Sequence, residues 1–125
     1  MTERELVEKA LEMREYSYAP YSGFRVGAAL LTTDGRVYTG CNIENAAYSP
    51  TNCAERTAVF KAVSEGERHF AAIAVAGGSK PCPPCGVCRQ VLGEFCGPDF
   101  PVYLETQTGW EVLPLKELLP CGFSL

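Results

Sequence analysis

Histidine is almost missing from this sequence: His69 is the sole one among 125 residues. Its scarcity removes HExxH-type metal sites and two-histidine acid–base schemes together. No apolar run approaches membrane-spanning length, and Met1-Thr2-Glu3-Arg4-Glu5 is charged and mixed in sign, unlike a secretory signal. Basic tracts are absent as well. Eleven Lys and Arg stand against fifteen Asp and Glu, a net charge of −4. A chain that grips phosphate backbones shows a basic face, so nucleic acid is not an expected partner. Neither a G-x-G-x-x-G turn nor a P-loop occurs, so nucleotide phosphates have no cradle. These absences together predict a soluble, cytoplasmic protein with no membrane partner.

What is present is ordinary in bulk, with 46% hydrophobic and 21% charged residues. Such a length and composition suit a single domain spanning residues 1–125, with a real hydrophobic core. Cysteine is the anomaly: Cys41, Cys53, Cys82, Cys85, Cys88, Cys96 and Cys121 make seven. An odd count beside a cytosolic N-terminus argues against a disulfide framework and for metal or catalysis.

Thr2 and Glu5 have the form of a capping box, and Leu6, Val7, Ala10, Leu11 and Met13 recur at helical spacing, predicting a helix from about residue 3 to 17. Phe24–Thr32 and Arg36–Cys41 flank Asp34-Gly35 and read as a hairpin. The segment 42–52 has no period and reads as a loop. Cys53–Val63 reads as a helix, Phe70–Ala76 as a strand, and Cys85–Phe95 as a helix launched from Pro84. Two more strands, Pro101–Glu105 and Trp110–Leu113, precede a helical turn at Leu115–Leu119. Helices interspersed with strands predict an α/β layered domain.

Cys85 and Cys88 form a CxxC at one predicted helix start, and Cys53 stands at another with Glu55 two residues on. Three thiolates leave a tetrahedral zinc one open position, the arrangement of a catalytic rather than a structural metal. Three thiolates outweigh the charge of Zn²⁺, so a positive partner is needed. Helix N-termini supply part of it, and Arg56, three residues after Cys53, is placed to donate to the sulfurs. Cys82 is left outside the site, because Pro83 holds residue 82 extended. Plainer readings stand beside these. Glu55 could complete a capping box with Asn52, and the CxxC could be a redox dithiol. Cys53, Cys82, Cys85 and Cys88 could hold a structural zinc. Arg56 could be a solvated helix residue, Asn42 and Glu44 polar loop residues, and Phe24 a core aromatic. His69 reads as structural, and Cys41, Cys96 and Cys121 read as buried thiols acting as small apolar groups.

Phe24-Arg25-Val26-Gly27-Ala28-Ala29-Leu30, Gly40-Cys41-Asn42-Ile43-Glu44-Asn45-Ala46, Cys53-Ala54-Glu55 and Pro84-Cys85-Gly86-Val87-Cys88 together resemble the small zinc-dependent cytidine deaminases. The resemblance runs from the first helix to Phe123, and its Asn-Ile-Glu-Asn block is similar to enzymes of free nucleosides. It implies a three-layer α-β-α sandwich with a mixed five-stranded sheet, one zinc per subunit, and a homotetramer whose active sites are shared between subunits. It further implies that Cys53, Cys85 and Cys88 hold the metal and that Asn42 and Glu44 hold the ribose hydroxyls. Ala54 would meet the pyrimidine edge through its backbone, and Phe24 would line the pocket. Phe123, Ala46 and Tyr48 would make contacts across the subunit interface.

Those residues suit hydrolytic deamination of cytidine and 2'-deoxycytidine in pyrimidine salvage. Zinc supplies hydroxide, while Glu55 carries protons to N3 and then to the departing amino group. The rivals are a deaminase of another aminopyrimidine nucleoside and a zinc-stabilised binding module without turnover. Cys82 and Cys121 stand where the family pattern leads one to expect small or apolar residues, and their role is open.

Overall fold

The computed structural model describes residues 1–125. Helix α1, Glu3–Met13, starts at Thr2, whose hydroxyl accepts from the Glu5 amide at 3.1 Å. The predicted helix to residue 17 gives way at Arg14–Tyr16 to a tighter 3₁₀ turn. That turn delivers Tyr18 to a bridge with Ile43, where the Tyr18 amide donates to Asn42 O at 3.0 Å.

Strands β1 (Val26–Thr32) and β2 (Val37–Cys41) form the hairpin, followed by α2 (Ala54–Ser64), β3 (Phe70–Gly77) and α3 (Gly86–Phe95). The chain closes with β4 (Pro101–Thr106), β5 (Gly109–Pro114) and the short α4 (Leu115–Leu118). The five strands lie in the order β2-β1-β3-β4-β5. Only β3 and β4 pair in parallel, with α3 in the crossover between them, so the sheet is mixed.

Both faces of the sheet are covered, which is why β1 and β3 read as unbroken apolar runs. Leu6, Val7 and Ala10 of α1 pack on Ala29, Ala72, Ala74 and Ala76. The other face, with Ala28, Leu30, Ile73, Val75, Val102 and Leu104, carries Ala58, Val59 and Ala62 of α2, Leu92 of α3, and Leu115 and Leu118 of α4. The result is a three-layer α-β-α sandwich, as expected.

Two glycines of the hairpin set how closely the helices approach. A Cβ on Gly27 would lie 1.9 Å from Ala10 O of α1, and one on Gly40 would lie 2.4 Å from Ala54 O of α2. Helix backbone therefore rests directly on strand backbone, on opposite faces. Gly40 fixes the first turn of α2, where Cys53 and Glu55 stand.

The 42–52 segment is more ordered than its lack of period suggests. Ile43 and Asn52 exchange both backbone hydrogen bonds at 2.9 Å. This clasp sets Asn42 and Glu44 beside Cys53 although a long turn separates them in the chain. Cys121 corrects another expectation: it is exposed, in a left-handed conformation (φ 55°) where the chain turns away from α4. No helix is long and apolar enough to cross a membrane.

Candidate active site and metal centre

Cys53 and Cys85 each occupy the N-cap of a helix, α2 and α3, with extended backbone (ψ 158° and 169°). Neither side chain caps its helix. The thiols are free to point elsewhere, and they turn toward one another. The Sγ atoms of Cys53, Cys85 and Cys88 lie within 4.8 Å of one another, and those of Cys53 and Cys85 are 3.7 Å apart. Two sulfurs on a tetrahedral zinc, each at about 2.3 Å, stand about 3.8 Å apart. The trio fits that ion in both chemistry and spacing. Cys82 is not part of it and lies in the wall of the adjoining cleft.

Arg56 Nη2 donates to Cys53 Sγ at 3.3 Å. The hydrogen bond from Cys88, with that from Arg56, brings the Cys53 thiol down to about 5 against the cost of burial. Cys88 moves the other way, raised by the same sulfur contact and by burial. Arg56 Nε is buried without a partner in the chain, a donor available to the charge of a filled site.

Glu55 follows Cys53 by two residues and is 4% exposed. Burial pushes its carboxyl up to about 7, with the negative charge of Cys53 adding to the rise. The capping-box reading of Glu55 fails because the N-cap is Cys53, not Asn52. Asn52 instead donates from Nδ2 to Thr57 Oγ1 at 3.2 Å. Glu55 thus sits in the first turn, aimed inward and spared from capping.

A cleft of about 290 Å³ opens over the sulfurs, near the low end of small-molecule sites. Phe24, Asn42, Glu44, Cys53, Ala54, Glu55 and Cys85 all line it. Phe24 is 46% exposed and rests over Gly78, so it is a rim aromatic rather than a core one. Gly78 has φ +67°, and a Cβ there would fall 2.8 Å from the Phe24 ring.

Asn42 and Glu44 are both anchored. Asn42 Oδ1 accepts from the Val26 amide at 2.9 Å, while its Nδ2 donates to Phe24 O at 2.7 Å. Glu44 Oε1 accepts from the amides of Tyr21 and Ser22 at 2.9 and 3.1 Å. The Ser22 hydroxyl donates to its Oε2, and these contacts hold the Glu44 carboxyl below its ordinary range. Ser22 Oγ also accepts from the Phe24 amide at 3.0 Å. Sequence reasoning passed over Ser22 and Gly78. A glycine pair after β3 was a visible signal for Gly78, whereas nothing local marked Ser22.

Ala46, Tyr48 and Phe123 do not join the cleft of this chain. Ala46 and Tyr48 are exposed on the 42–52 segment, Tyr48 in a left-handed conformation (φ 63°). Phe123 is 70% exposed beyond α4, and its carbonyl accepts from Gln90 Nε2 at 3.0 Å.

Residues 1–104 match the family described as cytidine and deoxycytidylate deaminase zinc-binding region. The chain belongs to the cytidine deaminase family. A cytidine deaminase of Sporosarcina psychrophila is 54% identical, over 99% of this chain and 93% of that protein. The crystal structure of the cytidine deaminase from Burkholderia pseudomallei superposes with a TM-score of 0.94 at 51% identity, covering 98% of this chain and all of that one. That of the enzyme from Mycobacterium tuberculosis gives 0.84 at 40% identity, covering 97% and 96%. Its fold is that of these deaminases, and the chain is an enzyme of their family.

Proposed function

We propose that this cytidine deaminase hydrolyses cytidine and 2'-deoxycytidine to uridine and 2'-deoxyuridine with release of ammonia, serving pyrimidine salvage in the cytoplasm. One observation carries the reading: of three thiols spaced for a metal, Cys53 and Cys85 line the same cleft as the buried carboxylate of Glu55, with Cys88 buried behind them. In this reading Cys53, Cys85 and Cys88 hold one zinc ion per subunit, and residues 1–125 act as a single domain. When bound, zinc lowers the pKa of a coordinated water so that a nucleophile exists at neutral pH.

The chain's own groups do the rest. Glu55 accepts a proton from the attacking water and delivers it to N3 of the pyrimidine, which activates C4 toward addition of the remaining hydroxide. It then carries the proton of the hydroxyl now on C4 to the amino group, and the C4–N bond breaks to release ammonia and leave the C4 carbonyl. A carboxyl held high by burial suits both directions of that traffic. Arg56 offsets the excess thiolate charge from beside Cys53. After their backbone bonds Asn42 retains a free N–H and Glu44 retains free carboxylate lone pairs, and we assign them to the ribose hydroxyls. Their anchors order them before substrate arrives. Ala54 meets the pyrimidine edge through its backbone, and Phe24 covers the ring from the rim.

Phe123, Ala46 and Tyr48 are assigned to a neighbouring subunit's site in a homotetramer. Their exposure and apolar character support that placement. The −4 charge favours a free nucleoside over a polynucleotide.

The test is ammonia release from cytidine by zinc-loaded protein beside Glu55→Gln. Wild-type turnover should fall by roughly 10²-fold or more in the variant, with its zinc retained. Full activity in a zinc-replete Glu55→Gln protein would refute the assignment.

A further inference from the structure

The segment Ser79–Pro84 leads from β3 into the metal ligand Cys85. It contains Pro81, Pro83 and Pro84, which have no N–H to donate. Across those residues the chain makes one hydrogen bond: Pro84 O accepts from Arg89 Nε at 2.8 Å. Cys85 itself gives no side-chain cap to α3, its sulfur being turned to the metal centre. The lead-in to this ligand therefore lacks both usual means of fixing a helix start, a ladder of backbone bonds and a capping side chain.

The Pro84 ring is fully buried, and Arg89 supplies the hydrogen bonding that is missing. It lies one turn into α3 and reaches back across that turn to Pro84. Its other arm, Nη1, donates to Leu118 O at the end of α4, also at 2.8 Å. A planar fork anchored at two points holds a carbonyl in a fixed direction better than a single flexible contact does. The neighbouring Gln90 reaches the same C-terminal region by a separate bond, to Phe123 O.

We propose that Arg89 is the positioning residue for Cys85: by tying Pro84 O to Leu118 O it fixes the thiol's direction and couples α4 to the metal centre. This rests on the zinc reading above, and it adds a residue that touches neither metal nor substrate. Groups one layer out from a metal's ligands commonly govern its retention by ten- to a hundredfold.

The experiment is zinc release from the holoenzyme to an excess of a chromogenic chelator, without substrate. Arg89→Ala should release zinc about ten- to a hundredfold faster than wild type. Leu6→Ala, a cut in the core under α1 on the other face of the sheet, is the control, compared at equal loss of thermal stability, and its release rate should stay near wild type. Gln90→Ala frees the tail without touching Pro84 and should also release at the wild-type rate. Should Arg89→Ala fail to fold, Arg89→Lys keeps the charge without the fork and should still release faster than wild type. Equal rates for Arg89→Ala and Leu6→Ala, an equal acceleration by Gln90→Ala, or a wild-type rate in Arg89→Lys would each overturn the proposal. Release is read without turnover, so this failure is distinct from failure of the deaminase reading; wild-type protein that holds no zinc would sink that reading first.

Discussion

The starts of α2 and α3 carry the same task, presenting a thiol from an N-cap, and they are built in opposite ways. The α2 start is embedded. Gly40 lies directly beneath it, Ala54 is fully buried and Glu55 nearly so. Thr57 Oγ1 bridges Cys41 O and Cys53 O at 3.0 and 3.1 Å. The α3 start is at the surface. Cys85 is exposed, nothing lies within 4 Å of a Cβ placed on Gly86, and the proline segment before it, anchored by the buried Pro84 ring, takes its one hydrogen bond from Arg89. Glu55, the proposed proton carrier, lies on the embedded start, where backbone packing fixes it. The CxxC lies on the more exposed one, where Arg89 supplies the hydrogen bonds and, in the proposed reading, the metal adds to the order.

If that contrast is real, equivalent changes at the two starts should differ sharply. Gly40→Ala should have the largest effect, since its Cβ would meet Ala54 O at 2.4 Å and Ala58 N at 2.6 Å. Backbone on both counts cannot yield cheaply, so urea unfolding should report a loss of about 3 kcal/mol or more. Thr57→Val should come next. It keeps the shape but removes the hydroxyl that donates to Cys41 O and accepts from Asn52 Nδ2, while Cys53 O keeps the Thr57 amide, and the same titration should show a loss of about 1 kcal/mol. Gly86→Ala should be the smallest: the site is open and the residue is helical, so stability should hold or rise by about 0.5 kcal/mol. A Gly86→Ala protein as damaged as Gly40→Ala would show that the two starts are equally constrained.

Much of this was legible along the chain. The alternating or unbroken apolar runs marked every strand, and the boundaries erred mainly at α1, where the turn from Arg14 to Tyr16 answers to a distant bridge with Ile43. Spacing alone paired Cys85 with Cys88, and Glu55 with Cys53. The weaker inferences concerned residues whose contacts are remote in sequence. Ser22 meets Glu44 twenty-two residues on, and Arg89 meets Leu118 twenty-nine residues on. No period or motif encodes such a meeting. Cys121 was misjudged for the same reason: cysteine's usual preference for burial says nothing of a turn that leaves the core.

The residue types and their local spacing settled the chemistry available here: thiols at helix starts, one carboxylate beside them, and no histidine to compete for the metal. Those features act over a turn or two of helix, so the order of residues is enough to express them. Which groups share a cleft, which carbonyl Arg89 can reach and how deeply Glu55 is buried were settled by packing. Burial and hydrogen-bond geometry depend on every element that closes around a group, and those elements come together only when the sheet has brought β2, β3 and β4 into register.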